Sequence, residues 1–300
     1  MKRRTLLQLL PALGPSTARA QPHPVLPPAA TRPVPSSGQS LPLVGLGTWI
    51  TFNVGDDTVA RRQCFAVMRA FFDAGGRLVD SSPMYGSSQD VIGEGLERIG
   101  AQARVFSAEK VWTSGNGAAQ IEASRRLWRV PAFDLLQVHN LLAWEKQLPL
   151  LQAMKQAGRL RHVGITTSEG RRHRELENIM RSQSIDFVQL SYNLLDREAE
   201  ERLLPLAADR GIAVLANRPF REGALLRQLA RHRLPGWAAE IGCTSWAQAA
   251  LKFIVSHPAV TCAIPATGSV DHVRENMAAA RGPFPDAALR RRMAADVARL

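Results

Sequence analysis

Four chemically complementary side chains stand at or just beyond the ends of short apolar segments. Asp80 and Tyr85 belong to the segment D-S-S-P-M-Y-G, and Lys110 and His139 end the next two apolar segments. A phenol can donate a proton, and a nearby cation lowers the pKa of a phenol by favouring its charged form. A carboxylate can hold such a cation, and an imidazole can donate a hydrogen bond to a developing oxyanion. These residue types suit proton transfer to a substrate oxygen.

Each of the four residues also has a purely structural explanation. Asp80 and Lys110 could form an ion pair that only stabilises a strand end. Tyr85 could merely cover the surface there, and His139 could be a buried, hydrogen-bonded histidine. Because all four fall in order on three successive strand ends, we favour the functional interpretation.

The positions of these residues depend on a regular alternation of segments from residue 43 onward. The apolar segments predict buried strands, and the amphipathic segments between them have the periodicity of helices. The predicted strands are 44–49, 77–80, 104–110, 133–139, 162–166, 187–191, 212–216 and 260–265. The predicted helices are 58–74, 88–99, 118–128, 144–157, 171–181, 197–209, a longer helical region ending at 256, and 271–280.

Eight strand–helix units favour a closed (β/α)8 barrel, an α/β fold, over an open doubly wound sheet. An open nucleotide-binding sheet commonly carries G-x-G-x-x-G after its first strand. Here Gly45 and Gly47 are followed by Trp49 and Ile50 instead of a glycine that opens a helix. We therefore predict a single barrel domain over residues 43–300. In such a barrel the functional groups lie at the C-terminal ends of the strands, where the four polar residues stand.

The four residues, in this order and on these strand ends, resemble the catalytic tetrad of the aldo-keto reductases. The matching features are the D-x-x-x-x-Y-G segment, Lys110 and His139, and the resemblance covers residues 43–280. It implies an NADP-dependent oxidoreductase that reduces an aldehyde or ketone to an alcohol, with the cofactor supplying the hydride. Tyr85 would be the general acid, assisted by Lys110, Asp80 and His139.

The same resemblance implies a nicotinamide-dinucleotide site along the later strand ends. The nicotinamide would lie after the fifth and sixth strands. A phosphate would lie at the N-terminus of the last predicted helix, where free backbone N–H groups favour anions, with the adenine beside it. The implied cofactor-binding residues are Gly47, Thr48, Thr166, Thr167, Gln189, Asn217, Arg218, Thr267, Gly268, His272, Glu275 and Asn276.

Four positions of this implied site depart from the family's pattern. Thr167 replaces an amide that normally holds the carboxamide, and Asn217 stands where an aromatic ring normally stacks on the nicotinamide. Ala266 and His272 replace the lysine and arginine that often bind the 2′-phosphate, so NADH is possible besides NADPH. Arg274 or Arg218 could compensate for the missing cations, and Arg218 could instead reach the pyrophosphate or the substrate.

Trp49 and Trp112 are predicted to form an apolar wall for a small carbonyl substrate. The alternative is that both are core residues beneath loops. No group of His, Cys, Asp and Glu has the spacing of metal ligands, so no metal site is predicted. Cys64, Cys243 and Cys262 lie among apolar neighbours and are predicted to be small core residues instead of a disulfide framework.

The first 42 residues differ from the rest of the chain. Residues 1–20 combine a basic start (K-R-R), a short apolar stretch and an A-R-A cleavage pattern. The paired arginines resemble a twin-arginine export signal, which predicts a periplasmic or secreted protein; the alternative is a cytoplasmic enzyme with a basic N-terminus. Residues 21–42 are rich in proline and predict an extended linker outside the core.

The composition limits the classes of partner. Four of the 38 basic residues lie in residues 1–20, so 34 remain against 26 acidic ones and the net charge falls from +12 to +8. These residues are interleaved with acidic ones, and 6% aromatic content offers no stacking platform, which argues against nucleic-acid binding. No apolar run approaches the roughly 20 residues of a membrane-spanning helix. We expect a monomer whose partners are its substrate, its cofactor and the export machinery.

A second hypothesis is a barrel that binds the dinucleotide with little turnover, as a sensor or accessory protein. The changes at Thr167 and Asn217 motivate it. The export signal supports it as well, because reduced nicotinamide is scarce outside the cytoplasm.

Overall fold

A computed structural model describes residues 28–300. The predicted export signal, residues 1–20, and the first part of the predicted linker, residues 21–27, lie outside the described residues. Eight parallel strands of this range form one sheet in sequential order. They are β3 (Leu46–Gly47), β4 (Leu78–Asp80), β5 (Phe106–Val111), β6 (Leu135–Val138), β7 (His162–Thr166), β8 (Phe187–Ser191), β9 (Ala213–Asn217) and β10 (Val260–Ala263).

The sheet closes on itself because the first strand also pairs with the last. The Gly45 N–H donates to the Ala263 carbonyl at 2.8 Å, and the Ala263 N–H donates to the Leu43 carbonyl at 2.9 Å. A Cβ on Gly47 would come within 2.7 Å of the Ile264 carbonyl oxygen, so this seam requires a glycine. The predicted single-domain (β/α)8 barrel is confirmed.

Helices cover the outside of the barrel. They are α1 (Thr58–Asp73), α2 (Ser88–Ile99), α3 (Gly117–Trp128), α4 (Trp144–Gln156), α5 (His173–Ser182), α6 (Leu203–Asp209), α7 (Ala224–Leu229), α8 (Trp237–Glu240), α9 (Trp246–Val255), α10 (Val270–Ala278) and α11 (Ala287–Val297). Side chains at the N-caps fix several starts: Asp57, Asn116 and Ser245 accept hydrogen bonds from the first-turn N–H groups of α1, α3 and α9. Short 3₁₀ turns occupy His139–Leu141 and Glu198–Glu200.

The linker prediction is wrong for the part of residues 21–42 nearest the barrel. Strands β1 (Thr31–Pro33) and β2 (Ser40–Pro42) form an antiparallel hairpin. Val34 and Leu41 are completely buried, within the same apolar cluster as the interior residues of the barrel. Prolines suit this two-stranded hairpin because they stand at strand ends, where a missing N–H is tolerated.

Two further differences lie in the second half of the chain. The predicted long helical region ending at 256 is three helices, since Pro235 and Gly236 interrupt it before α8. Helix α11 was not predicted; it buries Met293, Ala294 and Val297 against the barrel layer.

The remaining expectations about the core agree with the structure. Cys64, Cys243 and Cys262 are buried and unpaired, as predicted. Across residues 28–300, no helix combines the length and the apolar character that crossing a membrane requires.

Candidate active site

Asp80 and Lys110 form a buried ion pair at the ends of β4 and β5. Lys110 Nζ lies 2.6 Å from Asp80 Oδ2 and also donates to the Ser81 carbonyl at 2.7 Å. The side chains are 0% and 3% exposed. Burial lowers the pKa of the Lys110 ammonium, but the combined effect of Asp80, Tyr85 and Glu109 is larger and the net direction is upward. The lysine is therefore a fixed cation inside the barrel mouth.

Two amides hold the second oxygen of Asp80. Gln189 Nε2 donates to Asp80 Oδ1 at 2.8 Å, and Gln137 Nε2 lies 3.4 Å from the same atom. The Thr48 hydroxyl donates to the Asp80 carbonyl at 2.8 Å. Gln137 was not among the predicted site residues, although a glutamine inside the apolar strand β6 is a detectable signal of an inward polar contact. Gln189 and Thr48, assigned there only to the cofactor, also hold Asp80 in position.

Tyr85 lies above this ion pair in the loop after β4. Lys110 Nζ is 5.1 Å from the centroid of its ring, the His139 ring is 5.8 Å away, and the Trp49 ring 4.9 Å away. Burial raises the pKa of the Tyr85 phenol to about 12, against the lowering effect of Lys110. Our expectation of a net lowered pKa is wrong, because burial of the phenol outweighs the effect of Lys110 and the charge of Asp80 adds to the raising effect. The phenol keeps its proton at neutral pH.

His139 follows β6 and is 5% exposed. Its Nδ1 lies 2.7 Å from the Ser82 hydroxyl oxygen. Burial, together with the positive charge of Lys110, lowers the pKa of His139 to about 2, so the imidazole is neutral over the physiological range. The sequence analysis did not single out Ser82.

An open cavity of about 650 Å³ joins this group to the later strand ends. Most of the predicted site residues line it. They are Gly47, Thr48, Trp49, Asp80, Tyr85, His139, Thr166, Gln189, Asn217, Arg218, Thr267, Gly268, His272, Glu275 and Asn276. Apolar side chains that were not predicted, among them Ile50 and Phe220, complete the wall. The candidate catalytic and cofactor residues therefore share one cleft.

Three predicted residues do not line the cavity. The prediction that Trp112 forms a wall of the substrate pocket is wrong: its backbone N–H and carbonyl pair with the Gln120 side chain just after β5, and the residue is 40% exposed. The side chain of Thr167 is buried outside the cavity lining. Lys110 is buried behind Asp80 and Tyr85 and would act through them.

The part of the cleft assigned to the nicotinamide carries a hydrogen-bonded polar network. Asn217 Oδ1 accepts from the Ser191 hydroxyl at 2.7 Å, and Asn217 Nδ2 donates to the Thr167 carbonyl at 2.9 Å. The Thr167 hydroxyl is buried with no hydrogen-bond partner in the described chain. Asn217 is therefore held by hydrogen bonds to two neighbouring strand ends, with both its side-chain oxygen and its side-chain nitrogen paired.

The other end of the cleft suits a phosphate and a nucleoside. Ser269 caps α10, and the Thr267 hydroxyl accepts from the Ser269 N–H at 3.1 Å. Gly268, Glu275 and Asn276 line the cavity around this helix start. A Cβ on Gly268 would meet no atom within 4 Å, which leaves open space at this position. Helix N-termini stabilise anions, so the residues present fit a dinucleotide phosphate.

Charged pairs mark the rim between these two ends. Arg218 lies 3.1 Å from a Glu169 carboxylate oxygen and 2.5 Å from one of Glu222. All three residues line the cavity. Among the residues that the structure describes, no group of His, Cys, Asp and Glu is arranged to hold a metal ion.

Comparison with known proteins decides the family. A family model described as "Aldo/keto reductase family" matches residues 43–295. The chain belongs to the aldo/keto reductase family.

Several aldo/keto reductase relatives and structures resemble this one along most of its length. Methylglyoxal reductase YeaE of Escherichia coli (strain K12) is 30% identical over 252 residues, which cover 81% of this chain and 87% of that protein. The NADH-specific methylglyoxal reductase of the same organism is 23% identical over 241 residues, covering 69% and 72%. The crystal structure of an aldo/keto reductase from Klebsiella pneumoniae in complex with NADP and acetate has a TM-score of 0.72 at 25% identity, covering 87% of this chain and 92% of that one.

Proposed function

We propose that this aldo/keto reductase reduces a small aldehyde or ketone to an alcohol, with NADPH or NADH as hydride donor. The observation that carries the proposal is the convergence of Tyr85, His139 and the buried Asp80–Lys110 pair at one end of the cavity. The relatives support the substrate class, because two of them are methylglyoxal reductases. The Klebsiella pneumoniae complex with NADP supports the cofactor class.

Tyr85 is the proposed general acid. Its raised pKa keeps the proton on the phenol until the substrate oxygen gains negative charge. The phenolate that remains would then be stabilised by the ammonium of Lys110, which lies 5.1 Å from the ring centroid. Asp80 keeps that ammonium in place, because an unpaired buried charge would be costly.

His139 is the proposed partner of the substrate oxygen. Its neutral ring can donate one hydrogen bond and orient the carbonyl toward Tyr85. Trp49 and Phe220 would exclude water from an apolar substrate substituent. When bound, the cofactor supplies the hydride. Thr166, Gln189 and Asn217 would hold its nicotinamide end, and Thr267, Gly268, Glu275 and Asn276 would hold its nucleotide end.

NADPH is the proposed physiological donor, with NADH as a second donor. The NADP complex of the structural relative and the net charge of +8 that remains without residues 1–20 support NADPH. Ala266 and His272 offer no permanent cation to a 2′-phosphate, and the NADH-specific relative shows that the family also accommodates NADH. The ratio of kcat/KM for the two donors tests this assignment.

The activity is tested with the Tyr85→Phe variant and a matched control. Fluorescence titration of NADPH and NADH measures binding, and nicotinamide absorbance after addition of methylglyoxal measures turnover. We expect Tyr85→Phe to lose about 10²–10⁴-fold in kcat while it still binds the cofactor. Tyr192→Phe is the control, because Tyr192 is the other tyrosine and its hydroxyl binds Glu200 and Arg290 outside the cavity lining. It should keep its turnover.

The same titration separates the enzyme from a dinucleotide sensor. The hydrogen-bonded Asn217, in place of a stacking aromatic ring, is the observation that favours the second candidate. Tight binding of NADPH with no oxidation by any aldehyde offered would support the sensor and contradict the reductase.

Export is a separate proposal. We propose that residues 1–20 direct this protein to the periplasm or the medium through the twin-arginine route, on the strength of the K-R-R start and the A-R-A pattern. Cell fractionation of the full chain and of an Arg3→Lys, Arg4→Lys double variant tests it. Equal cytoplasmic retention of both would contradict it.

A further inference from the structure

Ser82 lies between Asp80 and Tyr85 in the D-S-S-P-M-Y-G segment, and its hydroxyl oxygen contacts the candidate site at His139. Its side chain is completely buried, and its hydroxyl oxygen is 2.7 Å from Nδ1 of His139. The same oxygen accepts a hydrogen bond from the Met84 N–H at 3.3 Å. Ser82 is therefore part of the loop that carries Tyr85, yet its hydroxyl contacts only the imidazole among side chains of the described residues.

These two contacts select one form of the imidazole ring. A neutral histidine carries its proton on either Nδ1 or Nε2, and the hydrogen bond made by one nitrogen determines the state of the other. If the proton were on Nδ1, Ser82 would accept from both His139 and Met84. Its own hydroxyl hydrogen would then have no acceptor in residues 28–300. A buried hydroxyl without an acceptor is unfavourable.

The opposite arrangement satisfies every group. The Ser82 hydroxyl accepts from Met84 and donates to Nδ1 of His139, so the ring proton must be on Nε2. Nε2 has no hydrogen-bond partner in the described part of the chain, and His139 lines the cavity. The ring then offers its single N–H to whatever oxygen occupies the cleft.

The choice of tautomer has a chemical consequence because the His139 ring is neutral. Because His139 is uncharged over the physiological range, its two tautomers present opposite groups to the cavity. The Nε2-protonated form can donate to a carbonyl oxygen, while the other form would present a lone pair and repel it. The hydrogen bond from Ser82 therefore decides whether His139 can assist the reaction.

We propose that Ser82 is a positioning residue that holds His139 as the Nε2-protonated tautomer, with the donor N–H directed into the cavity. The inference rests on the proposed carbonyl reduction for its consequence, but its structural part concerns only Ser82 and His139. It also explains how one short loop serves three members of the site: Asp80 and Tyr85 directly, and His139 through Ser82.

The tautomer is measured directly by ¹⁵N NMR of the full chain labelled at histidine, with His139 assigned by comparison with His139→Gln. In the wild type we expect protonated Nε2 and unprotonated Nδ1. In Ser82→Ala we expect both tautomers to be populated. Unchanged signals of the other histidines would show that this variant is folded. A wild-type ring protonated on Nδ1 would overturn the proposal, as would a Ser82→Ala ring that stays entirely in the Nε2 form.

Kinetics with methylglyoxal supply the second readout. We expect Ser82→Ala to lower kcat about ten-fold, the effect of one transition-state hydrogen bond, and to change KM less than two-fold. Ser82→Thr, which keeps the hydroxyl, should restore the Nε2 form and most of kcat. Ser88→Ala is the matched control, because Ser88 is equally buried and its hydroxyl pairs with that of Ser81, without contact to His139. An equal loss of kcat in Ser88→Ala would overturn the proposal.

These measurements distinguish this inference from the proposed function. If the wild type reduced no carbonyl compound, the reductase proposal would fail while the NMR result still decided the role of Ser82. If the wild type is active and Ser82→Ala matches it in kcat and tautomer, only the role of Ser82 fails.

Discussion

At the end of the barrel where the strands begin, the interior is filled by apolar side chains and closed by the β1–β2 hairpin. Phe106, Leu135 and Phe187 pack there with Val34 and Leu41 of the hairpin. At the end where the same strands finish, the interior holds a buried ion pair, two glutamines and a neutral histidine, and it opens into a cavity. The end where the strands begin contributes to stability, and the end where they finish holds the candidate active site.

The contrast shows how one sheet supports both roles. The apolar end also contains polar contacts, such as those of Asp134 with Ser107 and of Asp186 with the Val163 N–H, but these lie at the strand starts and none lines the cavity. At the opposite end Asp80, Lys110, Gln189 and His139 have specific side-chain partners, and the loss of one partner leaves the other unsatisfied. Substitutions at the two ends should therefore separate activity from stability.

The largest effect is expected for Lys110→Met. It removes the cation beside Tyr85 and leaves Asp80 buried without a positive partner. We expect kcat to fall at least about 100-fold and the free energy of unfolding to fall by about 3–5 kcal/mol. Steady-state kinetics and urea unfolding measure the two.

The control for that variant is Lys252→Met. Lys252 is also buried, but its ammonium donates to the carbonyls of Ile241 and Pro283, outside the cavity lining. It should lose stability and keep kcat at a temperature where it is folded. If Lys252→Met lost kcat to a comparable extent, the loss in Lys110→Met would reflect the removal of any buried cation and would not indicate a catalytic role for Lys110.

The opposite result is expected for Leu41→Ala in the hairpin. Leu41 is completely buried beneath the barrel, so its truncation leaves a cavity among the strand-start residues. We expect the free energy of unfolding to fall by about 2–5 kcal/mol with kcat and KM unchanged. Ser40→Ala, at the exposed neighbouring position, should change neither. If Leu41→Ala lowered kcat in the folded protein, the two ends would not be independent.

The polar end was easier to predict from the sequence than the apolar end, because its elements follow short-range sequence patterns. Strands β7 and β8 have the predicted bounds, because short, mainly apolar segments bounded by polar turns are short-range signals. The hairpin was assigned to a linker because its prolines are a strong local signal. Burial of Leu41 depends on strands that are distant in the chain, and no local pattern reports that contact.

Within the site, residue types were predictable and their contacts were not. The order of Asp80, Lys110 and His139 on successive strand ends was sufficient to predict that they lie together at the C-terminal end of the barrel. The prediction for Trp112 is wrong, since this residue does not line the cavity, and its backbone contact with the Gln120 side chain just after β5 follows no local pattern. The contact between Ser82 and His139 joins positions 57 residues apart, so only the folded structure reveals it.

Glu109 tests a third environment, the layer between the barrel wall and helices α2 and α3. Gln89 and Trp128 donate to its carboxylate, yet burial raises its pKa to about 7. The folded protein thus keeps a proton that the unfolded chain releases near pH 4. The stability that Glu109 contributes is fully present below about pH 4 and is lost as pH rises through about 7.

We therefore expect the unfolding free energy of the wild type, relative to Glu109→Gln, to fall between pH 5 and pH 8 by at most about 3 kcal/mol. Urea unfolding at both pH values measures the difference. Glu122→Gln is the control, because Arg125 and Arg126 lower the pKa of the Glu122 carboxyl to about 2, below this pH range. A difference that stays constant with pH would contradict the raised pKa of Glu109.

The smallest effect is expected at the rim of the polar end, where charges are solvent-accessible. Arg218 pairs with Glu169 and Glu222 beside the cavity, and its side chain is 24% exposed. If it turns toward an anionic cofactor, Arg218→Gln should weaken NADPH binding by about two- to five-fold, less at high salt, since partly exposed ion pairs contribute under about 1 kcal/mol. Arg233→Gln removes the same charge at an exposed position outside the cavity lining and should leave the Kd unchanged. Tighter binding by Arg218→Gln would mean that the pairs with Glu169 and Glu222 obstruct the cleft instead of attracting the cofactor.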